Sequence, residues 1–236
     1  LGFVYSALSL LMISMSMVVL SGNAIVFLVS WELMALSSFV LVASDHEQHS
    51  VQRSAMVYLG ATRTGTAFLM AGFIWAHYLT GSWDFCNWHL AGNSAIGPAI
   101  MIFIGLAVKA GCWPFHLWLP IAHPAAPSLV SAVMSGVMIK TAIYAMIRIL
   151  MMGHFNCPVL GYIILTLGAI SAFWGVLFAL LQHDLKCLLA YHSVENIGII
   201  MMGLGISIIG DNLHQPVLSQ LGLASALLHT LYHALF

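Results

Sequence analysis

The stretch Val108–Leu150, VKAGCWPFHLWLPIAHPAAPSLVSAVMSGVMIKTAIYAMIRIL, decides the fold of this chain. An apolar run with Lys109 is interrupted at Pro114, and a second apolar run contains Lys140. Between the two runs we expect a proline-rich turn with Pro120, Pro124 and Pro127. A lysine inside a membrane-spanning helix is costly and marks a functional site. A helix broken at membrane depth must bury its freed carbonyls in protein or place them along a cavity. The two features together indicate an ion path.

The composition predicts an all-α polytopic membrane protein. Of the 236 residues, 61% are hydrophobic and 6% are charged, and the mean hydropathy is +1.01. Soluble domains carry about 25% charged residues. The formal net charge of −1 gives no reason to expect a nucleic-acid partner. The four cysteines lie far apart in the sequence, so we expect neither a metal site nor a bound cofactor.

Apolar segments of about 20 residues, the length that a membrane span needs, occur about eight times. The predicted spans are Leu1–Leu20, Ala24–Val42, Arg53–Thr80, Ala99–Leu119, Ser128–Met152, Val159–Leu181, Lys186–Ile209 and a last one that starts near Val217. Both ends of the sequence fall inside apolar runs. We therefore expect the chain to be a fragment of a longer subunit.

Two lone glutamates indicate an internal repeat. Glu32 lies in the second predicted span and Glu195 in the seventh, which is an offset of five spans. An odd offset gives the two units opposite orientations, as in the inverted repeats of many transporters. We predict a complete five-helix unit over residues 1–152, and the first three helices of an inverted unit over residues 159–236.

The positions of three basic residues bear on orientation in the membrane. Arg53 and Lys186 fall at loops of the same parity, which the positive-inside bias places in the cytoplasm. Arg148 lies near the opposite end of its span and favours the other orientation. We expect a multi-pass protein of the cell inner (cytoplasmic) membrane, with the loops next to Arg53 and Lys186 in the cytoplasm.

Charged residues inside the spans are the candidate proton-translocation residues. Glu32, Lys109 and Lys140 lie within predicted spans, and a lysine can change its charge state in an apolar site, whereas an arginine cannot. Arg63 is therefore expected to be a fixed counter-charge. A structural ion pair remains the alternative role for Glu32, and interaction with the membrane surface remains the alternative for Lys109.

Histidines extend this candidate set. His192 and Glu195 are three residues apart and share a helix face, and His229 and His233 are four apart on another. His116 follows the predicted break. A histidine pair at this spacing can bind zinc, but no third ligand is evident, so we favour proton relay. Hydrogen bonding between helices remains the alternative.

The sequence resembles the antiporter-like membrane subunits that are shared by NADH–quinone oxidoreductase, multisubunit cation/proton antiporters and membrane-bound hydrogenases. It is most similar to the large antiporter-like subunit of hydrogenase-4 and formate hydrogenlyase complexes. The motifs that carry this resemblance are Trp31–Met34 (WELM), Lys109–Gly111 (KAG), Pro114–Pro120 (PFHLWLP), Ala122–Ser128 (AHPAAPS), Met138–Lys140 (MIK), Leu185–Ser193 (LKCLLAYHS) and Val194–Gly198 (VENIG).

The resemblance implies about fourteen helices in the full subunit, arranged around two inverted five-helix units. It implies that Glu32 pairs with Lys109 of the broken helix, and that Lys140 is the connecting lysine of the next helix. His229 and His233 would link the two half-channels. Arg63 departs from the family pattern, and so does His192, which stands where relatives often carry serine or threonine.

We therefore expect a proton-translocating subunit that couples redox chemistry in partner subunits to proton movement. The expected partners are other membrane subunits, a peripheral hydrogenase or dehydrogenase arm, and the lipid bilayer. The sequence carries no motif for a redox centre. Sodium/proton exchange, membership of an NADH–quinone oxidoreductase and a purely structural anchoring role remain alternatives.

Overall fold

The computed structural model describes residues 2–45, 47–152 and 155–235. Over these residues the chain forms eight helices, when two interrupted helices are each counted once. In chain order they are Gly2–Leu20, Ala24–Val42, His49–Thr80, Asn93–Ala125, Ser128–Met151, Pro158–Leu180, Leu185–Asn212 and Pro216–Leu235. Five of them, the second and the fourth to seventh, are long and apolar enough to cross a membrane.

The predicted all-α membrane fold is confirmed, and the two regular strands of the described residues, Leu90–Ala91 and Phe155–Asn156, form one short parallel pair. Residues 1 and 236, the outer limits of the predicted first and last spans, lie outside the described residues. The division into units at 1–152 and 159–236 stays a prediction.

The fourth helix is broken, as its sequence predicts. Its first half, Asn93–Ala110, starts six residues earlier than predicted and ends at Gly111, whose φ of +73° lies in the left-handed region that favours glycine. A 3₁₀ turn, Phe115–Trp118, leads into the second half, Leu119–Ala125. The Trp118 indole N–H donates to the Val108 carbonyl over 2.8 Å, so this freed carbonyl is satisfied inside the protein.

The prediction of a proline-rich turn is wrong, because Pro120 and Pro124 lie in a helix. Pro120 lies in the first turn of the second half-helix, where a residue without an N–H costs no hydrogen bond. Pro124 lies near the end of the same half-helix, and Pro127 directly precedes the fifth helix. Pro114 alone of the prolines in this stretch lies within the break itself.

The fifth helix contains two π-helical segments, Met134–Met138 and Met146–Met151. A π segment leaves the regular i→i−4 pattern of backbone hydrogen bonds and is frequent at functional sites. The first segment ends two residues before Lys140 and supplies the Ser135 carbonyl to which that side chain donates.

The sixth and seventh helices pack closely through small residues. A Cβ atom at Gly198 would lie 2.4 Å from the backbone nitrogen of Ala172, and one at Gly205 would lie 2.6 Å from that of Leu165. Close backbone approach of this kind holds helices together where lipid supplies no hydrophobic drive between them. It fixes the position of the seventh helix, which carries His192 and Glu195.

Candidate functional site

Lys109 lies in the last turn of the first half of the broken helix, and only 2% of its surface is exposed. Its Nζ donates to the hydroxyl of Tyr58 over 2.9 Å. The same nitrogen lies 5.3 Å from the ring centroid of Tyr58 and 5.9 Å from that of Trp31. The aromatic faces and the negative end of the half-helix both stabilise an ammonium group here, and they offset part of the cost of its burial.

Tyr58 links Lys109 to the second and fifth helices. Its fully buried hydroxyl lies 2.6 Å from the Ser38 hydroxyl and 3.7 Å from the Met138 sulfur. Ser38 also donates to the Met34 carbonyl, so this hydroxyl has a second partner. The sequence analysis missed Tyr58, since a tyrosine within an apolar helix carries no signal that separates a hydrogen-bonding partner from a packing residue.

Glu32 does not pair directly with Lys109, so the pairing that the family resemblance implied is wrong. The Glu32 carboxylate instead forms an ion pair with Arg63 of the third helix. Among the described residues, no ion pair joins Glu32 to Lys109. Arg63 pairs with Glu32 because the two side chains face each other across the interface between the second and third helices. The Lys109 side chain is directed at Tyr58 instead. The second carboxylate oxygen of Glu32 is buried and has no hydrogen-bond partner among the described atoms.

Lys140 is partly buried on the fifth helix and donates to the backbone carbonyl of Ser135. Ser135 belongs to the first π segment, five residues before Lys140. The Ser135 hydroxyl lies 2.9 Å from the hydroxyl of Ser193, so polar contacts cross from the fifth helix to the seventh at this point. Through Ser135, Lys140 is connected to the seventh helix.

Polar side chains of the seventh and eighth helices are connected by hydrogen bonds. His192 Nδ1 lies 2.7 Å from a carboxylate oxygen of Glu195, which confirms that they share a face. The Asn196 side-chain amide donates to the His192 carbonyl over 2.7 Å, and its oxygen lies 2.8 Å from His229 Nε2. Asn196, which the sequence analysis did not single out, therefore joins the two histidine-bearing helices.

A cavity of about 470 Å³ lies between the fifth, seventh and eighth helices and opens beside the exposed Leu185, Leu189 and Leu235; we call it the inner cavity. Its polar lining consists of His123, Ser128, Ser131, Ser135, Lys186, His192, Ser193 and His233. A space of this size accommodates on the order of ten water molecules. Of the predicted residues, His192 and His233 line this cavity. Lys140 is linked to it only through the Ser135 carbonyl, and Glu195 and His229 are not among its lining residues.

Two histidines of the broken helix have different surroundings. His116 is buried, and its ring centroid lies 6.5 Å from that of Phe178 and 6.2 Å from that of Tyr191, outside the inner cavity. His123 is also buried, lines the inner cavity, and has Nδ1 at 2.8 Å from the Ser131 hydroxyl. The role of His116 stays a prediction, and His123, within the AHPAAPS motif, is the histidine that the sequence reasoning passed over.

Within the described ranges, no group of three or more His, Cys, Asp or Glu side chains is arranged to hold a metal ion. The ionisable groups of the site instead form pairs, Glu32 with Arg63 and His192 with Glu195, or contact hydroxyl and amide groups. Such an arrangement suits the transfer of protons between side chains and water.

Comparison with known proteins agrees with this architecture. The chain is 40% identical over 229 residues to hydrogenase-4 component B of Escherichia coli (strain K12), which covers 94% of the chain and 34% of that protein. It is 34% identical over 234 residues to formate hydrogenlyase subunit 3 of the same strain, covering 97% of the chain and 37% of that protein. The chain thus spans about a third of the length of these relatives.

The fold is also found in a solved complex. A chain in the structure of the Mrp complex from Dietzia sp. DQ12-45-1b matches with a TM-score of 0.77 and 24% identity, over 95% of this chain and 45% of that one. The family model described as NADH:quinone oxidoreductase/Mrp antiporter, transmembrane, matches residues 21–236. Since this match covers nearly the whole sequence, the chain belongs to the antiporter-like membrane subunits of the NADH:quinone oxidoreductase/Mrp antiporter family.

Proposed function

We propose that this chain forms part of a proton-translocating subunit whose path begins at Lys109 and continues through Lys140 to the histidines of the seventh and eighth helices. The observation that carries the proposal is the buried Lys109 ammonium, held by the Tyr58 hydroxyl at the end of a broken half-helix. A lysine that only anchored the protein would extend its side chain to the membrane surface. Lys109 instead lies in the interior.

The path requires one rearrangement. Between Tyr58 and Lys140, the contact of the Tyr58 hydroxyl with the fifth helix is to Met138, which is fully buried and cannot carry a proton. Water must therefore enter beside Met138, or the Lys109 side chain must leave Tyr58, before a proton passes on. Beyond this point the inner cavity and the His192–Asn196–His229 contacts supply polar groups.

Arg63 gives Glu32 an indirect role in this scheme. While the Glu32 carboxylate is paired with Arg63, the positive charge of Arg63 cancels most of the electrostatic effect of the carboxylate on Lys109. Separation of the Glu32–Arg63 pair would expose the negative charge to the neighbouring helices and favour an ammonium at Lys109. A charge change in a partner subunit that disturbs this pair would thereby reach Lys109.

We propose that the driving reaction takes place in partner subunits rather than at a redox group of this chain. Relatives are named as components of hydrogenase-4 and formate hydrogenlyase. We propose that this chain works in a complex of that type, in the cytoplasmic membrane, with further membrane subunits and a peripheral hydrogenase arm. An NADH–quinone oxidoreductase, with a dehydrogenase arm, is the alternative host.

The test is Lys109→Ala in the full-length subunit within its assembled complex. Proton uptake into inverted membrane vesicles, driven by the redox substrate of the complex, should be abolished while the amount of assembled complex is unchanged. Arg53→Ala is the matched control, because it removes an exposed cation at the beginning of the third helix. Retained proton uptake in the Lys109→Ala complex would defeat the proposal.

Sodium/proton exchange is the second candidate function, and one observation favours it. The buried second oxygen of Glu32 has no partner among the described atoms, and carboxylate oxygens are suitable ligands for hard cations. Exchange would make transport depend on sodium, and Glu32→Gln would remove that dependence. Equal proton uptake in sodium-free and sodium-containing buffers would exclude this function.

A further inference from the structure

Ser171 lies in the middle of the sixth helix and is fully buried. Its hydroxyl accepts a hydrogen bond from the backbone N–H of Trp113 over 3.1 Å and donates one to the Val194 carbonyl over 3.1 Å. A serine hydroxyl has one donor and two acceptor lone pairs, so it can make both bonds at once. One side chain of the sixth helix therefore connects the break in the fourth helix with the seventh helix.

Other hydroxyl groups of the described helices are placed differently. The hydroxyls of Ser16, Thr64 and Thr166 each donate to the carbonyl four residues earlier in their own helix. A bond of that kind is local and leaves neighbouring helices unlinked. Ser171 instead bonds two other segments of the chain, and hydroxyl bonds between helices hold helices together within a membrane.

The backbone N–H of Trp113 needs this partner. Trp113 lies in the break, between the first half-helix and the 3₁₀ turn, so its N–H has no place in a regular helix. A backbone group without a partner is costly there, because lipid offers no hydrogen bond. Trp118 satisfies the freed carbonyl of Val108, and Ser171 satisfies the freed N–H.

The Val194 carbonyl is within reach of Ser171 because the sixth and seventh helices approach closely at this level. A Cβ atom at Gly175, four residues after Ser171, would lie 2.6 Å from the backbone nitrogen of Glu195. Glu195 directly follows Val194, and the next residue is Asn196, which joins the seventh helix to the eighth. The bond from Ser171 therefore holds the seventh helix at the start of its polar contacts.

We propose that Ser171 is a positioning residue of the proton path. By fixing the break of the fourth helix to the backbone of the seventh, it holds Asn196 at the distance from His229 that their hydrogen bond requires. A movement of the half-helix that carries Lys109 is thereby passed on to the seventh helix. The proposal builds on proton translocation as the function, but its first test does not depend on transport.

The first test is hydrogen–deuterium exchange of the Trp113 amide in the assembled complex. Ser171→Ala removes the hydroxyl and adds no atom to the packed interface. Exchange of the amide should become about two- to tenfold faster, because one hydrogen bond between neutral groups is lost. Thr166→Val is the matched control, since this exposed residue of the same helix bonds only within its own helix. It should leave the exchange rate unchanged.

The second test is proton uptake per redox turnover in inverted vesicles, with the full-length subunit in its complex. Ser171→Ala should lower this ratio by about two- to tenfold, and Thr166→Val should leave it unchanged. Because Ser171 acts through Asn196, Ser171→Ala should cause no further loss when Asn196→Ala is already present. A merely structural role would instead make the two losses multiply.

Three results would overturn the positioning role. Unchanged exchange at Trp113 would mean that Ser171 does not hold the break. Unchanged proton uptake per turnover, or losses that multiply in the double variant, would leave Ser171 as a packing residue. None of these results bears on Lys109→Ala, so the proton-translocation proposal would survive them, and its own failure would leave the exchange result valid.

Discussion

Replacement of Tyr58 by phenylalanine removes one oxygen atom and, with it, the hydrogen bond of Lys109. The ring remains, so the packing of the aromatic face against the lysine is kept. Ser38 loses one partner but keeps the Met34 carbonyl, so the second helix is not left with an unpaired hydroxyl. The substitution therefore acts on the placement of Lys109 more than on the stability of the fold.

The size of the effect follows from the hydrogen bond that is lost. A hydrogen bond to a charged group contributes about 1.5–3 kcal/mol. Because each 1.36 kcal/mol is a tenfold change in rate, proton uptake should fall by about 10- to 150-fold if only the positioned lysine takes part in transfer. The Lys109–Tyr58 distance of 2.9 Å and the full burial of the tyrosine support a value within this range.

The assay is redox-driven proton uptake in inverted vesicles, with the amount of assembled complex measured in parallel. Tyr144→Phe is the matched control, since its hydroxyl makes a 2.8 Å hydrogen bond to the Val19 carbonyl, away from Lys109. Tyr144→Phe should transport at close to the native rate. If Tyr58→Phe does so as well, Tyr58 does not position the lysine and the reasoning fails.

Three further predictions test other parts of the site. Asn196→Ala removes the link to His229 and should lower proton uptake several-fold without loss of assembly, as vesicle assays of the variant would measure. Glu32→Gln leaves Arg63 without its carboxylate and should impair transport; restored uptake in the double variant with Arg63→Gln would show that the pair acts as a unit, and additive losses would show that it does not. Gly111→Ala should reduce the yield of folded subunit, measured by size-exclusion chromatography in detergent, because the left-handed φ costs about 1–2 kcal/mol and the added Cβ would lie 2.6 Å from a leucine methyl group; a native yield would contradict the strained turn.

Much of the fold is determined locally and could be predicted from the sequence. Apolar runs of span length must form helices in lipid, because each backbone group needs a partner within its own segment. Pro114 indicates the break for a local reason, because proline lacks the N–H that a helix interior uses. The spacing of His192 and Glu195 likewise places them on one face. Pro120 is the local feature that was misinterpreted, since a proline in a first helical turn and a proline in a loop look the same in sequence.

The partners of the charged groups were decided by the tertiary structure. Lys109 binds a tyrosine 51 residues earlier in the chain, and Glu32 pairs with Arg63 rather than with Lys109. These helices are hydrophobic on nearly every face, so the sequence pattern does not show which face meets which neighbour. The inner cavity exists only because three helices are packed together, and for that reason no single stretch of sequence could predict it.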